Sequence, residues 1–284
     1  MSKSTHPFFQ LLVMLALSLG MLLIASLPDV VLAALGVDVM SRPVLMWSQA
    51  LTQLLTFLVP VLLMTLIYYR GRQREYYRLD FSGRAWGNAL AGVVVMVLLV
   101  PAIDWLTVWN DSWNLGRVGE MLRSLQNMTE GIMEQLMSTS TVGGLLANLL
   151  VVALIPAVCE EVLFRAGIQN LLQRWFKNGH AAIWVTALVF SLVHGEVFSF
   201  MPRFLMGAVL GYLYVYGGSI LPNMLAHFVN NAIVVVVYWL VARGVLDIDP
   251  EAPLAVGGAL TACCTLAAVA VFGVTFGKKL KISR

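Results

Sequence analysis

Charge is what this sequence has least of. Asp, Glu, Lys and Arg make up 12% of its 284 residues and apolar types 60%, whereas a soluble domain carries about 25% charged and about 45 to 50% apolar residues. A water-soluble globule is thereby excluded, and the chain reads as a polytopic membrane protein. Its polar connections are too short to fold alone, so one integral-membrane domain over 1–284 is expected, with no soluble catalytic module. The net charge of +3 is too small to argue for nucleic acid as a partner. The lipid bilayer is the partner that composition demands. Cysteine is also scarce: Cys263 and Cys264 are neighbours in one apolar run and Cys159 lies in another, which leaves no disulfide framework.

What is abundant is long apolar runs. They predict an all-α bundle of about eight transmembrane helices over 8–27, 44–69, 86–109, 142–173, 181–198, 202–216, 220–242 and 254–276. The first run is longer than the apolar part of a signal peptide, about 7 to 15 residues, and is read as a retained span. Pro60 and Pro101 should kink their helices. Gly207 and Gly211 form a small-xxx-small pair that suits close helix packing. In the longest polar connection, 110–141, Met121, Leu122, Leu125, Met128, Ile132, Met133 and Leu136 recur at helical spacing. They predict an amphipathic helix at the interface or over the bundle. Plain surface packing is the ordinary role for such a helix, and a gate over a cavity is the sharper one.

Eight spans place both termini on one side. Lys3, the arginines from Arg70 to Arg84, Arg174, Lys177 and the tail residues Lys278, Lys279, Lys281 and Arg284 fall on that side. Arg42, Arg117, Arg123, Arg203 and Arg243 fall on the other. By the positive-inside rule the termini are expected to be cytoplasmic, in a bacterial cytoplasmic membrane.

The stretch Ile155 to Arg165 carries Glu160, Glu161 and Arg165 inside the fourth run. An ionised group at bilayer depth costs at least about 2.5 to 3.5 kcal/mol, so three together call for partners and a purpose. Glu161 and Arg165, four apart, share a helix face in the favourable acid-first order. Glu160 is turned by about 100° from Glu161, which leaves it free to face something else. At 1.5 Å per residue, Glu160 and His194 both lie about 21 Å from the same face, and His227 and Asn231 about 12 and 18 Å. Pro156 removes the partner of the Val152 carbonyl and is expected to open the helix toward a cavity.

Three chemistries suit such a centre. Glu160 and His194 could activate water, with His227 and Asn231 donating to an oxyanion. Glu160, His194 and His227 could instead hold zinc with a bound water as nucleophile. An acid and histidine relay could drive proton-coupled transport, and a non-catalytic membrane scaffold or immunity protein is a further alternative. No internal repeat of the transporter kind is visible, which favours hydrolysis. Cys159 is disfavoured as nucleophile because it points about 100° away from Glu160 on the helix.

Glu160-Glu161-Val-Leu-Phe-Arg165, Phe190-Ser-Leu-Val-His194 and His227-Phe-Val-Asn-Asn231 stand in the order and spacing of the EExxxR, FxxxH and HxxxN motifs. In this the chain resembles the CPBP family of intramembrane proteases, which includes type II CAAX prenyl endopeptidases and bacteriocin-processing, Abi-like proteins. The resemblance covers about 145–237, inside an expected catalytic core of 142–242. It implies an eight-helix bundle with a polar cavity open to the cytoplasm, cleaving a peptide or a prenylated protein at the membrane. It also implies that Glu160 and His194 activate water, His227 and Asn231 form the oxyanion site, and Glu161 with Arg165 support them. Members are commonly called metalloproteases, and a glutamate-based, metal-free mechanism suits the same residues.

Overall fold

Inside hydrocarbon, a chain keeps each backbone N–H and C=O paired only by coiling into helices or closing a barrel. The computed structural model describes residues 5–250, 252–254 and 256–280, and among these there are helices and turns and no strand. Lys3, Lys281 and Arg284, part of the charge pattern above, lie outside the described residues. The chain runs through α1 (Pro7–Ala34), α2 (Arg42–Tyr68), α3 (Gly83–Asp111), α4 (Gly116–Met137) and α5 (Val142–Phe176). It continues through α6 (Gly179–Val193), α7 (Phe200–Gly217), α8 (Leu221–Ala242) and α9 (Gly258–Leu280). Among the described residues, seven helices are long and apolar enough to cross a membrane, all but α4 and α6. The protein is a polytopic helical membrane bundle.

Two helices end elsewhere than the sequence suggests. α1 runs through Pro28 to Ala34, beyond the expected limit at Leu27. Asp29 is bonded by the Ser48 hydroxyl of α2 and so is accommodated within the pair. α6 stops at Val193 instead of reaching 198, because Gly195 takes a left-handed φ of 72°. Its 15 residues span about 22 Å, short of the roughly 30 Å hydrocarbon core. A single tight turn, Val197–Ser199, follows and is pinned by Asn110 at the end of α3. The Asn110 Nδ2 donates to the Val197 carbonyl at 3.0 Å, and its Oδ1 accepts from the Met201 N–H at 2.7 Å.

The described chain ends share one face. There Phe8 packs on Trp175 at the end of α5, with ring centroids 4.9 Å apart, and Phe272 packs on Tyr216 at the end of α7. The loop 69–82 covers the same face: Arg78 accepts at its carbonyl from the Ile220 N–H, and Ser219 Oγ donates to the Asp80 carbonyl at 3.0 Å. Ser82 closes this loop by capping α3 at the Ala85 N–H and by donating to Asp80. Those bonds hold the exposed Asp80 carboxyl below the usual carboxylate range. The α1–α2, α3–α5, α6–α7 and α8–α9 connections lie on the opposite face. The amphipathic helix α4 is tied down there by Arg42, which donates to the Leu136 carbonyl at 3.0 Å and to Asn148 Oδ1 at 2.8 Å.

Between α5, α6 and α7 the approach is close because Gly211 has no side chain. A Cβ there would meet Ile183 Cγ2 at 2.8 Å and Gln169 Oε1 at 3.0 Å. Small residues permit such contact where van der Waals packing, not exclusion from water, drives helix association.

Candidate active site

Proline shapes the helix that carries the two glutamates. Pro156 lacks the N–H that would pair with the Val152 carbonyl, and its ring crowds that carbonyl. The preceding stretch, Leu149–Leu154, is widened into π-helical turns, and a second widened stretch, Val162–Gln169, follows Glu161. Such turns relieve the mismatch and are frequent at functional sites. The short α-helical segment between them, Ile155–Glu161, presents Glu160 to a cavity and turns Glu161 into the interior. α2 repeats the device, with π-helical turns at Gln53–Leu58 just before Pro60.

The cavity encloses about 430 Å³ and is lined by Glu160 of α5, His194 at the end of α6, and His227 and Asn231 of α8. Four polar residues separated in sequence thus share one space. His227 Nε2 lies 3.9 Å from Glu160 Oε2, and its Nδ1 lies 3.0 Å from Glu161 Oε1. His194 Nδ1 lies 2.7 Å from the Phe190 carbonyl, which can only accept. The proton therefore sits on His194 Nδ1, and in the neutral ring Nε2 keeps the lone pair. Asn231 Oδ1 accepts from Asn230 Nδ2 at 3.3 Å, so its own amide NH₂ is the end available as a donor.

Beside the cavity runs a buried chain of polar groups. Arg165 Nε donates to Glu161 Oε2 at 2.9 Å, with both side chains fully buried. Arg165 Nη1 reaches Gln169 Oε1 at 3.4 Å, and Gln169 Nε2 donates to the Gly211 carbonyl at 3.0 Å. Glu161 is therefore shared between Arg165 and His227, while Glu160 stays at the cavity wall, 6% exposed. Cys159 is buried and is not among the residues lining the cavity.

Glu160, His194 and His227 have the chemistry of zinc ligands, with the far nitrogens of both rings held by other groups as metal-binding histidines often are. Their placement is not that of a closed ligand set: among the described residues no three His, Cys, Asp or Glu side chains come together to hold an ion.

One site residue has no counterpart in the motifs. Gln53 of α2 donates from Nε2 to Glu160 Oε1 at 3.0 Å and is 8% exposed. Its signal in the sequence was a glutamine within an apolar run, with Gln49 four residues earlier on the same face, and both line the cavity. Arg203, paired to Glu196 at 2.5 Å, and Met133 and Met137 of α4 also line it. The amphipathic helix thus contributes to the cavity wall as well as to the surface.

The sequence reading joined cytoplasmic termini to a cavity open to the cytoplasm. In the structure the cavity lining includes Met133 and Met137 of α4, and the described chain ends lie on the opposite face of the bundle. Depths counted along a helix fix how far a residue lies from one face. They do not say in which direction the space around it opens.

Residues 142–233 match the family described as Rce1-like, type II CAAX prenyl endopeptidase Rce1-like. No curated protein and no solved structure matches the chain. The matched stretch contains Glu160, Glu161, Arg165, His194, His227 and Asn231, and stops short of Gln53 and α4. With the three motifs inside it, the central segment of this chain is similar to that family of membrane proteases.

Proposed function

We propose that the chain is an intramembrane endopeptidase that hydrolyses a peptide bond of a membrane-associated or lipidated polypeptide by glutamate-activated water. The observation that carries this is the shared cavity, in which Glu160, His194, His227 and Asn231 meet from three helices. Water held by Glu160 and by His194 Nε2 loses a proton to the carboxylate as its oxygen attacks the scissile carbonyl. The tetrahedral oxyanion accepts hydrogen bonds from Asn231 Nδ2 and from His227 Nε2–H. Because Nδ1 of His227 already points at Glu161, donation from Nε2 requires both ring nitrogens to be protonated. The proton taken by Glu160 then passes to the leaving amine. Gln53 holds one carboxylate oxygen and leaves the other for water.

The test is cleavage by purified protein of membrane-anchored and prenylated peptides, compared with Glu160→Gln and His194→Ala. Both variants should accumulate in the membrane and lose cleavage by about 10³-fold or more, the scale on which general-base and oxyanion contributions combine. Glu160→Gln at the wild-type rate would overturn the mechanism. Proton flux in liposomes without cleavage of any substrate would replace it with transport. Strict dependence on added zinc, in protein shown to be metal-free, would replace the glutamate route with a metal-assisted one.

A further inference from the structure

Helix α4 lies outside the matched stretch 142–233, yet it meets the site at two levels. Met133 and Met137 line the cavity. Two turns earlier, Gln126 is buried at 4% exposure, while its neighbours Leu125, Asn127, Met128 and Thr129 are exposed. An amide on the inward side of an amphipathic helix occupies a position that the periodic pattern gives to an apolar residue. Its hydrogen bonds show what it does there. Gln126 Oε1 accepts from the Phe198 N–H at 3.2 Å, and Nε2 donates to Glu130 Oε1 at 2.9 Å and lies 3.4 Å from Ser199 Oγ.

Phe198 is held by its ring as well. The Arg123 guanidinium lies over that ring, 3.6 Å from the centroid, and Arg123 is fixed in turn by its ion pair with Asp111. Helix α4 thus grips both the backbone and the side chain of one buried residue, four positions after His194.

The intervening chain has little freedom. Ser191 Oγ donates to the Phe200 carbonyl at 2.6 Å and closes the segment at its base. Within it, Asn110 ties Val197 and Glu196 is paired to Arg203. His194 stands in this closed segment at the end of α6, just before the left-handed Gly195. The bond from its ring to the Phe190 carbonyl is made within the same helix. That bond sets the ring on α6 and does not set the end of α6 against Glu160. The turn does so, and both Asn110 and Gln126, which hold the turn, precede the matched stretch.

We propose that Gln126 is a positioning residue for His194. Through Phe198 it fixes the turn that places the imidazole in the cavity shared with Glu160, and so joins the helix that supplies Met133 and Met137 to the histidine of the reaction. The role of His194 in activating water rests on the endopeptidase proposal; its placement by α4 does not.

The test reads the histidine directly. The chain has four histidines, His6, His180, His194 and His227, so the ring resonances of histidine-labelled protein in detergent micelles are few, and the signal missing from His194→Ala is that of His194. Gln126→Met removes the bond to Phe198 at nearly constant volume. Gln126→Asn, an amide one methylene too short to reach, takes its place if the methionine variant does not accumulate. The result expected is a shifted or broadened His194 ring signal with His6 and His180 unmoved. Peptide cleavage should fall about 10- to 100-fold in kcat with KM changed less than about threefold, the scale on which misplacing a reacting group acts. A part in stability alone lowers the unfolding temperature and leaves the His194 signal and the kcat of the folded protein as they were, and that result overturns the proposal. A shifted His194 ring in a protein that cleaves nothing supports the placement and removes the protease. An unmoved ring in an active protease overturns the placement and leaves the protease.

Discussion

Gln53 and Glu160 meet between α2 and α5, with Nε2 3.0 Å from Oε1, at a point where both are almost fully buried. In the proposed mechanism the amide fixes which oxygen of the carboxylate remains for water. A hydrogen bond to a charged group is worth about 1.5 to 3 kcal/mol, and about 1.4 kcal/mol is tenfold in rate. Gln53→Ala is therefore expected to lower kcat about 10- to 100-fold with a smaller effect on KM. Gln53→Glu should be worse, since it sets a second carboxylate against the first. Steady-state cleavage of a peptide substrate checks both, and unchanged kcat in Gln53→Ala would remove Gln53 from the site.

Glu161 and Arg165 make a different kind of prediction. Their pair is fully buried, and removing one partner of a buried pair costs about 3 to 5 kcal/mol because the other charge is stranded. Replacing both by apolar residues is often neutral. Glu161→Leu and Arg165→Met should each lower the thermal unfolding temperature in detergent sharply, and the double variant should recover most of the loss. Cleavage should not recover, because His227 Nδ1 has lost its acceptor. Restored activity in the double variant would show that Glu161 serves Arg165 alone.

Much of the bundle was legible because hydrocarbon leaves so few options: long apolar runs are helices, and their limits came within a few residues for α2, α3 and α8. The pairing of Glu161 with Arg165 could be read as well, since helical spacing alone puts them together. Gln53 could not be placed, because its partner is 107 positions away and nothing local in an apolar run says which face meets α5. The early stop of α6 turned on one residue in one backbone conformation, Gly195.

That residue yields the last prediction. Gly195 follows His194 at a φ of 72°, and a Cβ added there would meet nothing within 4 Å. Substitution by alanine is thus opposed by backbone conformation alone, at a cost of about 1 to 2 kcal/mol. The chain can escape this cost by rotating the turn or extending α6. Either change moves His194, the residue just before the turn, whose ring bonds the Phe190 carbonyl four residues earlier. Gly195→Ala should therefore lower the unfolding temperature modestly and cleavage much more, and Gly195→Asn, which tolerates a left-handed φ better, should restore part of both. If alanine lowers stability and leaves kcat intact, the turn after His194 does not position the histidine.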